Sequence, residues 1–236
     1  MLRYFAEHAS SVQDVPDLMG KLISKGVAGG AGKRRGSIFL LADSERGILL
    51  ECTSKDFTYK FVDEGLVTVS NHFTLPKSEK WESDTPNKNT LLRKKRIDEL
   101  LHGTLNENDL KRIFKLSRDR KYVPHSLCND DLKHFWMTIS VQLQVIDKKN
   151  PANSINYACC GNSHHSFFLP FPISEAVSYE TFLSGKYYSA SDALYRRFHC
   201  NGHMREIQTR FEKGILEGTC EYRKLYSEAY SILKSM

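Results

Sequence analysis

Apolar residues recur at helical spacing through the first two dozen positions, at Leu2, Phe5, Ala9, Leu18, Leu22 and Ile23. Pro16 interrupts them, with Ser11 or Asp14 available to cap the break, so the pattern predicts two short helices. From residue 37 the period shortens to that of strands, at 37–42, 48–52, 57–61 and 66–70, separated by the turn-forming stretches 43–47, 53–56 and 63–65. This spacing predicts an antiparallel meander. Residues 74–89 are polar and loop-like, after which Leu91, Leu92, Ile97, Leu100 and Leu101 mark an amphipathic helix. A second helix is predicted over 105–116, opened by Asn106. Alternation returns over 135–147, through Ile139, Val141, Leu143 and Val145, with 155–160 as its hairpin partner. Beyond Pro172 the chain reads as helix to its end, with apolar faces over 190–198 and 205–233. Two blocks of strands bracketed by helices predict an α+β layered sandwich. No Pro, Gly or Ser stretch is long enough to serve as an interdomain linker, so residues 1–236 read as a single domain.

Charge changes this picture little. The 34 basic and 28 acidic residues leave a net charge of +6 with both signs interspersed, which gives a mild attraction for anions and does not imply nucleic acid. The densest basic runs are Lys33-Arg34-Arg35 in a loop and Arg93-Lys94-Lys95-Arg96 on a helix, and both read as solvated faces. The loop contains Gly26, Gly29, Gly30, Gly32 and Gly36, but Lys33 is followed by Arg34 instead of Ser or Thr, and Val27 stands where a phosphate loop has its first glycine. A flexible connector is the better reading. No apolar run approaches the roughly 20 residues of a membrane span. Glu7, His8, Asp14 and Asp17 break up any signal-peptide core, so no membrane association is expected. Six cysteines without such a signal point to free thiols in a reducing compartment, with the cytoplasm as the default.

Several short motifs occur in a telling order: Leu2-Arg3-Tyr4, Ser11-Val12-Gln13-Asp14, the run from Gly36 to Ala42-Asp43, Leu49-Leu50-Glu51, and Ser70-Asn71-His72-Phe73. Thr90-Leu91-Leu92-Arg93, Leu116-Ser117-Arg118-Asp119 and Ser126-Leu127-Cys128 follow, then Asp147, Pro151 and Cys160-Gly161. This order resembles the isopenicillin N acyltransferase-like and acid-ceramidase-like branch of the N-terminal-nucleophile (Ntn) hydrolases, over Met1 to about Phe171, with Ser70 in place of the branch's Thr. The resemblance implies a four-layer αββα Ntn-hydrolase-like sandwich, N-terminally incomplete. It also implies hydrolysis of a linear amide, or acyl transfer from it, on a small-molecule amide or acyl substrate and without a cofactor.

In such enzymes a Cys, Ser or Thr at a free N-terminus is the nucleophile and its own α-amino group takes the proton. Met1 has no proton to lose, and Leu2, Arg3 and Tyr4 offer no such side chain. The resemblance therefore implies that this chain alone turns nothing over, and that a misplaced start, a partner chain supplying the missing strands, self-association or a decayed gene accounts for the front. A non-catalytic relative or fragment acting as a binding module is the alternative. By the same resemblance, Asn71 supplies an amide N–H to the oxyanion and Arg93 orders the site or holds substrate polar groups; a turn-capping Asn and a helix-surface Arg are the competing readings.

His72, one residue on in a predicted strand, should face away from Asn71. Cys52 sits within an apolar strand, where a buried thiol is the expected role. Cys159, Cys160, His164 and His165, with Cys200 and His203, fit no common zinc spacing, so no metal is expected.

Overall fold

A computed structural model describes residues 1–27, 36–81, 86–101, 109–131, 136–174, 184–197, 202–219 and 221–235. The predicted glycine connector, the start of the predicted 105–116 helix and Cys200 thus fall wholly or mainly outside the described residues. Among those described are seven α-helices and eight strands, an α+β chain built around two three-stranded antiparallel sheets. The chain divides into two units, Met1–Leu105 and Asn106–Met236.

The first unit opens with helices α1 (Leu2–His8) and α2 (Val15–Ser24), as the spacing predicts. Between them Ser11 and Asp14 form a reciprocal capping box around a short 3-10 turn. Pro16 lies in the first turn of α2, where its missing N–H is not needed. Strands β1 (Ser37–Ala42), β2 (Gly47–Cys52) and β3 (Phe57–Val62) form the meander in the order β1-β2-β3. Ile48, Leu50 and Cys52 on one face of β2 join Phe5, Val12, Val15, Leu18, Met19 and Leu22 of the helices in one core. Asp43 ties the two layers together. Its carboxylate accepts from Val12 N at 2.8 Å, while also closing the β1–β2 turn through Glu45 N and Arg46 N at 2.8 and 2.9 Å. Burial alone would raise its pKa, but the bonds from Val12, Arg46 and Glu45 outweigh it and hold the carboxyl below its ordinary value.

The fourth predicted strand, 66–70, is not one. The segment is irregular, and its polar side chains turn to helix α3 (Lys88–Leu100) instead of to β3. Thr68 Oγ1 donates to Asp98 at 2.5 Å, and Ser70 Oγ accepts from Thr90 at 2.9 Å. A β-branched run is a preference for a pleated surface, and here bonds to a helix override it. Asn87 starts α3 by accepting from Thr90 N at 3.1 Å. On the basic run of this helix, Lys94 pairs with Asp98 and Arg96 with Glu99, one turn or less apart.

The second unit begins with α4 (Leu110–Leu116) and a two-stranded ladder of β4 (Asp130–Asp131) and β5 (Trp136–Met137). The alternation predicted over 135–147 is therefore split, with β6 (Ser140–Val145) forming the hairpin with β7 (Ile155–Cys160). Strand β8 (Leu169–Pro172) completes the sheet in the order β6-β7-β8. Its two prolines hide it from a strand reading, yet they are tolerated because, among the described residues, β8 pairs only with β7. Helices α5 (Lys186–Arg197), α6 (Gly202–Leu216) and α7 (Tyr222–Ser235) follow, α5 in contact with β7 and α7 with β8. Phe114, Phe167, Phe168, Tyr187, Phe211 and Tyr226 dominate the core between them. Gly161, at φ +100°, is required where β7 ends, since a Cβ there would lie 2.3 Å from Ser191 Oγ of α5. No helix among the described residues is long and apolar enough to cross a membrane.

Candidate functional site

The face of β2 opposite the helical core carries Leu49 and Glu51, because side chains alternate along a strand. Glu51 is fully buried, with no ion pair among the described residues. Its carboxylate instead accepts from Thr74 N at 2.8 and 3.1 Å, Thr74 Oγ1 at 2.9 Å, Leu75 N at 3.1 Å and Ser78 Oγ. A charge removed from water survives when hydrogen-bond donors replace its hydration. The consequence is positional: residues 74–78 are clamped to the strand.

Four residues before that clamp, the chain is held a second time. Thr90, buried in the first turn of α3, donates its hydroxyl proton to Ser70 Oγ at 2.9 Å and accepts from Asn71 N at 2.8 Å. His72 Nδ1 meets the same oxygen at 2.9 Å. A hydroxyl has one proton and two lone pairs, so with the proton on Ser70 the His72 ring must bring its own on Nδ1. The segment Ser70-Asn71-His72 is thus fixed by one side chain. Asn71 lies on a bend rather than at a strand end, and the alternation that would turn His72 away from it does not apply there. The Asn71 residue is exposed and its carboxamide has no hydrogen-bond partner among the described residues.

Arg93 follows Thr90 by three residues, hence on the same side of α3. It is half-buried, its Nε is out of contact with water, and it makes no hydrogen bond or ion pair among the described residues. Burial alone pulls the guanidinium pKa down, with no carboxylate to push it back. Asn89 Oδ1, one turn before it on the helix, is also buried without a partner. Of the two residues singled out from the sequence, Asn71 is held to Thr90 through its backbone N, and Arg93 lies three residues after Thr90 on α3.

The cysteines read otherwise. Cys52 is buried in the helical core, and burial raises its thiol pKa despite a bond from Ser37 N, which suits a packed thiol and not a nucleophile. Cys159 is pushed up to about 12 by burial, and Cys160 is raised for the same reason. Among the described residues no three His, Cys, Asp or Glu side chains gather as metal ligands would. The side chains of Cys200 and His203 lie outside the described residues.

The second unit holds a polar centre that periodicity did not announce. Arg118 is buried and donates Nη1 and Nη2 to Glu212 at 2.9 and 2.5 Å, and Nε to Ser163 O at 2.8 Å. Burial pulls its pKa down and Glu212 more than restores it. Gln208, one turn before Glu212 on α6, donates to the carbonyls of Ser163, His164 and Ser166 at 3.0, 3.1 and 2.7 Å. One signal was available in the sequence: Gln208 and Glu212 interrupt the apolar face Met204, Ile207, Phe211 and Ile215 at helical spacing. Arg118, the partner of Glu212 94 positions away, had no local signal. Between α4 and α6 opens a cleft of about 490 Å3, lined by Lys111, Phe114, Lys115, Arg205, Thr209 and Lys213 above the Arg118–Glu212 floor.

Comparison of the chain with protein-family models, with curated proteins and with solved structures returns no match.

Proposed function

We propose that the first unit carries the oxyanion side of an Ntn-type amide hydrolase or acyltransferase, with Asn71 as oxyanion donor and Arg93 as the anchor for a polar group of the substrate. The observation that carries this reading is the uncompensated Arg93: a guanidinium half-withdrawn from water, its Nε without a partner, on the same helix as Thr90, which holds the Asn71 backbone. A buried donor left unpaired costs roughly 1–3 kcal/mol, which a substrate carbonyl or carboxylate offsets on binding. The free Asn71 carboxamide suits the other role, since its backbone is fixed while its side-chain N–H is not spent on the protein.

The chemistry runs as follows. An N-terminal thiol or hydroxyl gives its proton to its own α-amino group and attacks the amide carbon, and the carbonyl oxygen becomes an oxyanion that accepts from Asn71. The C–N bond then breaks, the amine leaves with the transferred proton, and water or a second amine releases the acyl group. Residues 1–4 contain no such nucleophile, so the test supplies one. The reading carries with it a four-layer αββα arrangement.

The test is expression of the chain behind an upstream segment processed to a terminal Cys, followed by assay of amine release from linear N-acyl amides. Cleavage should fall about 100- to 1000-fold in kcat for Asn71→Ala. Arg93→Lys should raise KM while kcat stays within a few-fold. Cleavage undiminished by Asn71→Ala would defeat the assignment. An acyl adduct on Cys52 in the chain alone would move the nucleophile into the first unit's core.

A further inference from the structure

The cleft between α4 and α6 has a composition that selects a ligand. Its volume of about 490 Å3 falls within the range of small-molecule sites. Lys111 and Lys115 stand one turn apart on α4, and Arg205, Thr209 and Lys213 occupy successive turns of α6 across from them. The side chains of Lys111, Lys115 and Arg205 have no ion-pair partner among the described residues, and Lys213 has only a loose one, Glu217 at 3.7 Å. Glu212 does not offset this charge, because Arg118 already neutralises it. Four cations thus surround the mouth against one available carboxylate, Glu217.

The depth of the cleft is of opposite character. Arg118, Glu212 and Gln208 lie in its floor, but their hydrogen bonds are made to one another and to the carbonyls of Ser163, His164 and Ser166. They leave little for a polar ligand to use. What remains to contact is apolar: Leu216, and Phe114, whose ring is stacked on Phe168 at 4.1 Å with planes 2° apart and is therefore a rigid surface. The lysine and arginine stems add further apolar wall below their charged ends.

We propose that this cleft binds an amphiphilic anion, an apolar body seated on Phe114 and Leu216 with a carboxylate or phosphate head held by Lys111, Lys115 and Arg205. Desolvated apolar area supplies the affinity, and the ring of cations supplies the selection for charge and steers approach. Both headgroups satisfy the same chemistry.

The experiment is titration calorimetry of the full chain with decanoate and with decyl phosphate, each below micelle formation. Decanol, decyltrimethylammonium and inorganic phosphate serve as controls. One saturable site is expected for at least one of the two amphiphilic anions, and the stronger of them names the headgroup. The Lys115→Glu/Arg205→Glu double variant should weaken it by about tenfold or more, since it turns two attractions at the mouth into repulsions. Arg210→Glu/Lys224→Glu, matched in charge but on exposed residues that do not line the cleft, should leave it within twofold. Circular dichroism of both variants establishes that they fold. Decanol binding as tightly as the anions, inorganic phosphate binding as tightly as decyl phosphate, equal weakening by both double variants, or no saturable site for either amphiphile would each overturn the proposal.

Discussion

The two units each bury charge, and they do so by different means. In the second, Arg118 and Glu212 neutralise one another in a two-pronged pair, and the carbonyls of Ser163 and Ser166 accept from Nε and Nη2. In the first, Glu51 has no cation among the described residues and is satisfied by dipoles from Thr74, Leu75 and Ser78, whereas Arg93 has neither a carboxylate nor an acceptor among them. The difference separates structure from function. Charges that have found partners hold the fold together, and Arg93, which has none among the described residues, adds nothing of that kind.

That contrast is open to attack at its strongest point first. Arg118→Met or Glu212→Leu alone strands a buried charge and should cost about 3–5 kcal/mol, while the double variant should be markedly less damaging than either single. Urea unfolding of the three proteins decides it, and additive losses would show that the pair is not the unit of stability. Next comes Glu51→Ala, which leaves the Thr74 and Leu75 amides without an acceptor and should cost about 2–4 kcal/mol. Hydrogen exchange at those two amides should accelerate with it; protection that survives would mean that another group holds the 74–78 segment.

A pH scan sharpens the comparison further. His164 of the second unit is half-buried, with Nε2 unpartnered, and burial first, then Arg120 and His165, lowers its pKa from 6.5 to about 4. Between those values the unfolded chain binds the proton and the folded one does not, so stability falls as pH drops through this window and the loss is complete below about 4. Water screens part of the effect, which should reach up to about 2 kcal/mol. His164→Gln should flatten that slope, as read from unfolding midpoints at successive pH values.

The smallest effects fall in the candidate site. Thr90→Val removes the hydroxyl shared by Ser70, Asn71 and His72 and should cost about 1–2 kcal/mol, with Thr90→Ser close to neutral. Arg93→Met should leave stability unchanged or raise it, because it removes an unpaired donor and strands no partner. A loss as large as that of Arg118→Met would end the contrast between the two arginines and with it the case for Arg93 as an anchor.

Much of the local architecture was written in the sequence. The capping pair Ser11 and Asp14, the turns at 43–47 and 53–56, and the alternation around Val141 and Leu143 each act within a few residues, and each sits where the pattern puts it. Legibility failed where a distant partner outbid local preference. The 66–70 run has the composition of a strand, but Asp98 and Thr90 claim its polar side chains, and β8 is a strand despite two prolines because only one of its edges is paired among the described residues. Asn71 and Arg93 could be named from motif order alone. That Thr90 holds the Asn71 backbone depended on α3 being brought against a segment some twenty residues earlier. The Arg118–Glu212 pair and the cleft above it depend on groups 94 positions apart, a separation at which spacing carries no signal. Short-range periodicity fixed most elements of this protein, and only their tertiary packing decided which charges among the described residues are paired and which are not.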